Sequence, residues 1–218
     1  MNHGPENRLC PLCRTAEGSD FYQDRRTYYR CPTCQLVFVL PEQFLSSEEE
    51  KAQYDHHENS ADDPGYRRFL GRLFDPLSQC LAPNSHGLDF GSGPGPTLSV
   101  MFEEAGHRMA IYDPFYAPET GPLQQQYDFI TTSEVVEHLH HPRRELDRLW
   151  SCLSPGGALG IMTKRVGNRE EFPHWHYKND PTHVCFYSLE TFEWLAEYWN
   201  AILTVPDDDV VIFTKDQS

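Results

Sequence analysis

Leu88-Asp89-Phe90-Gly91-Ser92-Gly93-Pro94-Gly95 is a short apolar strand running into a glycine-rich turn. Glycines let the backbone turn tightly and approach a ligand closely, and a helix beginning beyond the turn aims free N–H groups at that ligand. By itself such a turn could equally be a plain strand–helix connection. The flanking sequence decides. A helix is predicted over Leu98–Ala105 and strands over Arg108–Tyr112, Tyr127–Thr132 and Ala158–Thr163. Helices are predicted over Arg143–Leu153, stopped by Ser154-Pro155-Gly156-Gly157, and over Leu189–Trp199. Ala201–Val205 and Val210–Thr214, joined by residues 206–209, read as a hairpin. The alternation implies a doubly wound α/β sheet with an antiparallel edge. Its second strand ends in Tyr112-Asp113-Pro114, which places a carboxylate where a ribose diol would lie.

Upstream, two helical patterns run over residues 46–58, opening with Ser46-Ser47-Glu48-Glu49-Glu50, and over Gly65–Leu81. Before them stand Cys10-x-x-Cys13 and Cys31-x-x-Cys34 with seventeen residues between the pairs, and then an apolar run Leu36–Leu40 closed by Pro41. Two CxxC turns can direct four thiolates at one tetrahedral ion, so Cys10, Cys13, Cys31 and Cys34 predict a structural zinc ribbon. Two redox dithiols are the alternative. About thirty residues make too small a core to fold alone, and a metal would supply the difference. Three units follow: a ribbon over 1–41, a helical linker or cap over 42–85 and a cofactor-binding domain over 86–218. Cys80, Cys152 and Cys185 fall in helical or apolar patterns and read as small buried hydrophobes.

The 218 residues carry a net charge of −15, with 39% hydrophobic and 13% aromatic residues, which suits a packed core. No apolar run approaches membrane-spanning length, and the first residues lack the pattern of a signal peptide. The expectation is a soluble cytoplasmic protein. Residues 1–40 sum to +1, so the remainder is strongly acidic and repels a phosphate backbone. Nucleic acid is disfavoured as a partner.

The glycine turn, the acid ending the second strand, the strand and turn Asp128-Phe-Ile-Thr-Thr-Ser-Glu-Val-Val-Glu-His-Leu139 and the segment Leu153-Ser-Pro-Gly-Gly-Ala-Leu159 resemble, in order, the motifs of class I S-adenosylmethionine (SAM)-dependent methyltransferases of the methyltransferase-23-like kind. The resemblance covers residues 86–214 and implies a Rossmann-like sheet. By position, Gly91, Ser92, Gly93 and Gly95 would line SAM, Asp89 would organise the turn or meet the methionine amine, Asp113 would bind the ribose, and Ser133 and Glu134 would complete the cofactor site. A nicotinamide dinucleotide fits this pattern less well. Only residues 114–126 separate the second strand from the next, so the family's intervening helix and strand are abbreviated or missing, and adenine contacts stay unassigned beyond Phe115 as a guess. Similar bacterial methyltransferases carry such a ribbon, several of them linked to small-molecule or saccharide modification.

Glu134, Glu137, His138, His140 and His141 follow the third strand, and His174, His176 and His183 come later, ahead of Phe186-Tyr187-Ser188. Three readings stand. The cluster shapes the pocket, His138 or His183 is a general base assisted by Glu137, or Glu134, Glu137, His138 and His183 bind a second divalent metal. The last resembles the metal motif of small-RNA 2′-O-methyltransferases. Tyr54, Tyr66, Tyr177, Tyr187 and Trp175 are candidates to close the pocket. The function expected is methyl transfer to a small-molecule or saccharide acceptor. An RNA methyltransferase or a non-catalytic SAM-binding regulator are the alternatives, and oligomeric state is not specified.

Overall fold

The computed structural model describes residues 8–56 and 60–217. The first two strands, β1 (Ser19–Gln23) and β2 (Thr27–Arg30), form a hairpin whose turn is fixed by the Asp24 carboxylate accepting the Arg26 backbone N–H at 3.1 Å. A third strand, β3 (Val37–Phe38), pairs with β2. Helix α1 (Ser47–Tyr54) starts on a capping box, with Ser46 and Glu49 satisfying each other's backbone N–H groups. The last two residues of the expected 46–58 helix lie outside the described residues. Helix α2 (Pro64–Ser78) is capped by Asp63 and buries Leu70, Leu73 and Leu77 on one face.

From there the chain alternates: β4 (His86–Phe90), α3 (Thr97–Glu104), β5 (Arg108–Tyr112), β6 (Tyr127–Ser133), α4 (Pro142–Ser151), β7 (Leu153–Met162), β8 (Cys185–Phe186), α5 (Leu189–Trp199), β9 (Ile202–Asp207) and β10 (Val210–Thr214). The main sheet has the order β5-β4-β6-β7-β10-β9, with the first four strands parallel and the β10–β9 hairpin antiparallel. This is the expected Rossmann-like sheet with its antiparallel C-terminal hairpin. Side chains alternate across it. On β7 and β10, Ala158, Met162, Val210 and Ile212 face α2 and α3, while Leu159, Ile161, Val211 and Phe213 face the α4 and α5 side. A Cβ at Gly160 would sit 2.8 Å from Leu73, so glycine there lets α2 lie close on the sheet. Pro206 is tolerated because β9 is an edge strand.

Residues 114–126 hold one antiparallel bridge, Asp113 to Ala117, and a single 3-10 turn, Gly121–Gln124. No further strand pairs with β5 among the described residues, which leaves Ile111 37% exposed at the sheet's edge. Two local expectations are corrected. Leu153 pairs with Tyr127, so Ser154–Gly157 lies inside the start of β7 instead of ahead of it. Cys80 is exposed, because α2 ends at Ser78 before its buried face comes round again, whereas Cys152 and Cys185 are buried.

β8 lies between β7 and α5 in sequence yet belongs to the other sheet. It pairs with β3, Val37 opposite Phe186 and Phe38 opposite Cys185, giving the order β1-β2-β3-β8. Phe21, Tyr22 and Tyr28 of the hairpin pack edge-on around Phe172, with ring centroids 5.0 to 5.6 Å apart. The ribbon and the α4–α5 side of the main sheet share one continuous core.

Candidate functional site

β5 and β6 lie on opposite sides of β4, so a crevice opens at the carboxyl end of β4, the position where open α/β sheets bind ligands. Gly91 (φ 79°) and Gly93 (φ 64°) are left-handed there, and a Cβ on Gly91 would fall 2.3 Å from Val135. The Asp113 carboxylate accepts N–H bonds from Gly93 (3.0 Å), Phe115 (2.8 Å) and Tyr116 (3.0 Å), tying the glycine turn to the loop after β5. Asp89 lies beneath the turn. It is 4% exposed and accepts from Ser99 Oγ (3.2 Å) and Thr131 Oγ1 (3.0 Å), and burial pushes its carboxyl up to about 6.

A cavity of about 1310 Å³ spreads over this crevice. Gly91, Ser92, Gly93, Asp113 and Phe115 form one wall, Ser133, Glu134 and Val135 lie between, and His138, His176, Tyr177, Asp180 and His183 form the far wall. Helices α1 and α2 contribute Glu50, Tyr54, Tyr66 and Phe69. Gly95, Asp89 and Glu137 support the wall without lining it. Of the aromatic candidates, Tyr54, Tyr66 and Tyr177 line the cavity, while Tyr187 is core, its hydroxyl donating to Val136 O at 3.2 Å.

Past β6 the backbone turns sharply at Glu134 (φ 53°) into a 3-10 turn that carries Glu137 and His138. Glu137 is fully buried. It accepts from Thr163 Oγ1 at 2.9 Å and from the Tyr177 hydroxyl, which also reaches Glu134 at 3.2 Å. Burial, then the Glu137 charge, pushes Glu134 up to about 8, and its Oε1 is buried without a protein partner. The His138 and His183 rings stand 4.7 Å apart, well inside the reach a shared role requires. His183 Nδ1 donates to Tyr177 O (2.7 Å) and His138 Nδ1 to Thr182 O (3.2 Å), the tautomer that puts the lone pair of a neutral imidazole on Nε2. Burial, followed by the His138 charge, lowers His183 to about 4 and keeps it neutral. Ligand atoms of Glu137, His138 and His183 all lie within 4.8 Å of one another. His140 is engaged elsewhere, bonded to Glu50 at 2.8 Å and stacked on Phe44, and His141 and His174 are exposed.

The four ribbon cysteines meet in a second cluster. All are buried, with Cys10 Sγ to Cys34 Sγ 3.5 Å and Cys13 Sγ to Cys31 Sγ 3.4 Å. A tetrahedral ion with Zn–S bonds of about 2.3 Å separates its sulfurs by about 3.8 Å, so the set fits zinc.

A glycine turn and following acid at a topological switch point, under a sheet ending in a reversed hairpin, define the class I methyltransferase architecture. A family described as "Methyltransferase domain" matches residues 54–200, more than half of the chain, and the chain belongs to it. The protein is a SAM-dependent methyltransferase. Among solved structures it is similar to the 1,6-didemethyltoxoflavin-N1-methyltransferase of Burkholderia thailandensis with bound 1,6-didemethyltoxoflavin and S-adenosylhomocysteine (16% identity, 91% of this chain and 99% of that one, TM-score 0.50). It is also similar to an O-methyltransferase family protein of B. thailandensis (12%, 78% and 63%, 0.52) and a SAM-dependent methyltransferase of Archaeoglobus fulgidus (16%, 68% and 94%, 0.51). At such identities the likeness is one of fold. No curated protein matches the sequence. No helix among the described residues is long and apolar enough to cross a membrane.

The main contributors that sequence reading missed are Glu50, Asp180 and the joint position of Tyr177 between two carboxylates. Glu50 is on a helix whose polar composition signals only a solvated face. Nothing local marks Tyr177 as the partner of residues forty positions earlier.

Proposed function

We propose that the chain transfers the SAM methyl group to a polar small-molecule acceptor, of the saccharide class, held between the histidine pair and helix α1. The observation that carries this reading is the continuity of the cavity from the glycine turn to His138 and His183. Its volume exceeds the roughly 300–1,000 Å³ of a single-ligand pocket, so cofactor and acceptor fit together. The far wall offers Glu50, Tyr54, His138, Lys164, Asn179 and Asp180, a donor and acceptor set suited to hydroxyl groups. The net charge of −15 argues against RNA.

When bound, SAM supplies an electrophilic methyl on a sulfonium, which leaves as S-adenosylhomocysteine once the acceptor heteroatom attacks. The chain holds the two reactants in line. Gly91, Ser92 and Gly93 let the backbone approach the cofactor closely, their own N–H groups being spent on Tyr112 O and the Asp113 carboxylate, and Asp113 receives the ribose hydroxyls. Ser133 and Glu134 lie nearer the histidines, and the unpartnered Glu134 oxygen suits a cationic group, whose charge would return that carboxyl to its ionised form. His138 Nε2 takes the acceptor's proton, while Thr182 O fixes the ring through Nδ1, His183 packs edge-on against it and the Glu137 carboxylate, 3.9 Å from Nε2, stabilises the imidazolium. Cys10, Cys13, Cys31 and Cys34 hold zinc for structure.

One observation favours a second reading of the same residues. Both histidines give Nδ1–H to backbone carbonyls, the usual orienting arrangement for metal-ligating imidazoles, and Glu137 completes a two-histidine, one-carboxylate set. A divalent ion there would supply Lewis-acid activation of an acceptor hydroxyl.

The test mixes protein and SAM with a panel of saccharides, small hydroxylated compounds and RNA, and measures S-adenosylhomocysteine by mass spectrometry. Product with RNA and with no small acceptor would overturn the proposal. Given an active acceptor, His138→Ala should abolish turnover and leave S-adenosylhomocysteine affinity within about threefold, since the cofactor is held by other residues. Activity that survives chelation supports the base; activity lost to EDTA while elemental analysis still finds the ribbon zinc, and restored by magnesium or manganese, establishes the metal instead.

A further inference from the structure

The turn of the ribbon hairpin grips a loop that lies about 150 residues later in the chain. Arg26 donates to four backbone carbonyls there: from one terminal nitrogen to His183 O (2.8 Å) and Pro181 O (3.4 Å), and from the other to Asp180 O (3.1 Å) and Lys178 O. Its Nε donates to the Tyr28 hydroxyl at 3.2 Å, and that hydroxyl donates to Lys178 O at 3.2 Å. In the opposite direction, the buried Lys178 ammonium pairs with Asp24. Just beyond His183, Val39 N donates to Val184 O at 3.1 Å and β3 continues the pairing on β8.

The gripped segment is the one that presents Tyr177, Asp180 and His183 to the cavity. It has little regular structure of its own, only a 3-10 turn over His176–Asn179. Converging carbonyls repel one another unless a donor sits among them, and a guanidinium is a planar fork of five donors that no other side chain reproduces. We propose that Arg26 is a positioning residue for the acceptor side of the cavity, setting the backbone of residues 178–183 and through it the orientation of His183. This rests on the reading that the wall faces the acceptor. The four-cysteine site enters through geometry. Arg26 leads directly into β2, and Cys31 follows the end of that strand, so the sulfur cluster anchors the base of the arm whose tip grips the loop.

The experiment uses the full chain as wild type, Arg26→Gln, Arg26→Lys and Tyr28→Phe. Amide hydrogen exchange is followed in the 176–187 and 88–97 segments, and imidazole nitrogen NMR reports the His183 tautomer. In Arg26→Gln the Thr182 and Val184 amides should exchange about tenfold or more faster, the change expected when charge-assisted bonds to a loop are lost. His183 should lose its fixed Nδ1–H form, while the 88–97 segment and calorimetric affinity for S-adenosylhomocysteine stay at wild-type values. Arg26→Lys should be intermediate, since a point donor reaches fewer carbonyls. Tyr28→Phe should show a smaller effect at the same amides, and it decides the matter if Arg26→Gln does not fold. Wild-type protection and tautomer in the variants, or loosening spread equally over the 88–97 segment, would overturn the proposal. Failure of the methyl-transfer reading would register separately, as wild-type protein that does not bind S-adenosylhomocysteine.

Discussion

Gly91 and Glu134 both hold left-handed backbone on the crevice floor, and they bear that geometry differently. At Gly91 the missing side chain is what allows the turn. Ala there would be strained and would drive its methyl into Val135, so Gly91→Ala should cost about 1–3 kcal/mol and weaken S-adenosylhomocysteine binding, measured by denaturant unfolding and calorimetry. At Glu134 burial, then the Glu137 charge, raises the carboxyl from the usual 4.5 to about 8. Between those values the folded state keeps a proton that the unfolded chain has released, so stability falls as pH rises through the window. His183, lowered to about 4, has the opposite slope up to its ordinary 6.5, while buried Glu137 is also raised and slopes as Glu134 does, so the Glu134 contribution is the difference between wild type and Glu134→Gln from pH 6.5 to 8. Glu134→Gln should lessen the fall in thermal stability over that range and overtake wild type above it. Parallel curves for the two proteins would remove Glu134 from this role.

At the scale of elements, α1 shows how much of the site depends on local chemistry. Its capping box holds a short, polar helix that contributes Glu50 and Tyr54 to the cavity. Ser46→Ala should cost about 1 kcal/mol and speed amide exchange over residues 47–54, with β4 and β6 unchanged. The cap was legible in the sequence, as were the glycine turn, the acid after β5, the terminal hairpin and the cysteine pairs, because each is set by residues within a few positions. What could not be read was set by distant partners. Cys185-Phe186 is too short to announce a strand and becomes one only against β3. Arg26 carries no sign of the carbonyls it serves, since those acceptors are backbone atoms that any sequence would supply. The Glu137, His138 and His183 convergence was readable as a list of candidates, but the orienting carbonyls of Tyr177 and Thr182 were not.

Over the whole molecule, the ribbon and the main sheet act as one body, because Tyr28, Leu36 and Phe38 belong to the same core as Phe172, Phe186, Leu159 and Phe213. An appended module would unfold by itself and leave the cofactor domain intact. Here the loss of the four-sulfur site should reach the catalytic sheet. In zinc-finger peptides a structural zinc contributes on the order of 10 kcal/mol to folding, and a chain of this size shifts its melting point by about 2–4 °C per kcal/mol. If half of that is felt globally, Cys31→Ser together with Cys34→Ser should lower the transition by about 10–20 °C. Elemental analysis should find about one zinc per wild-type chain and none in the variant. Scanning calorimetry should show a single transition in both proteins, raised by S-adenosylhomocysteine in both. Two transitions, the S-adenosylhomocysteine-sensitive one unmoved by the substitutions, would mean that ribbon and sheet fold independently. Full zinc in the variant would mean that the cysteines are not the ligands.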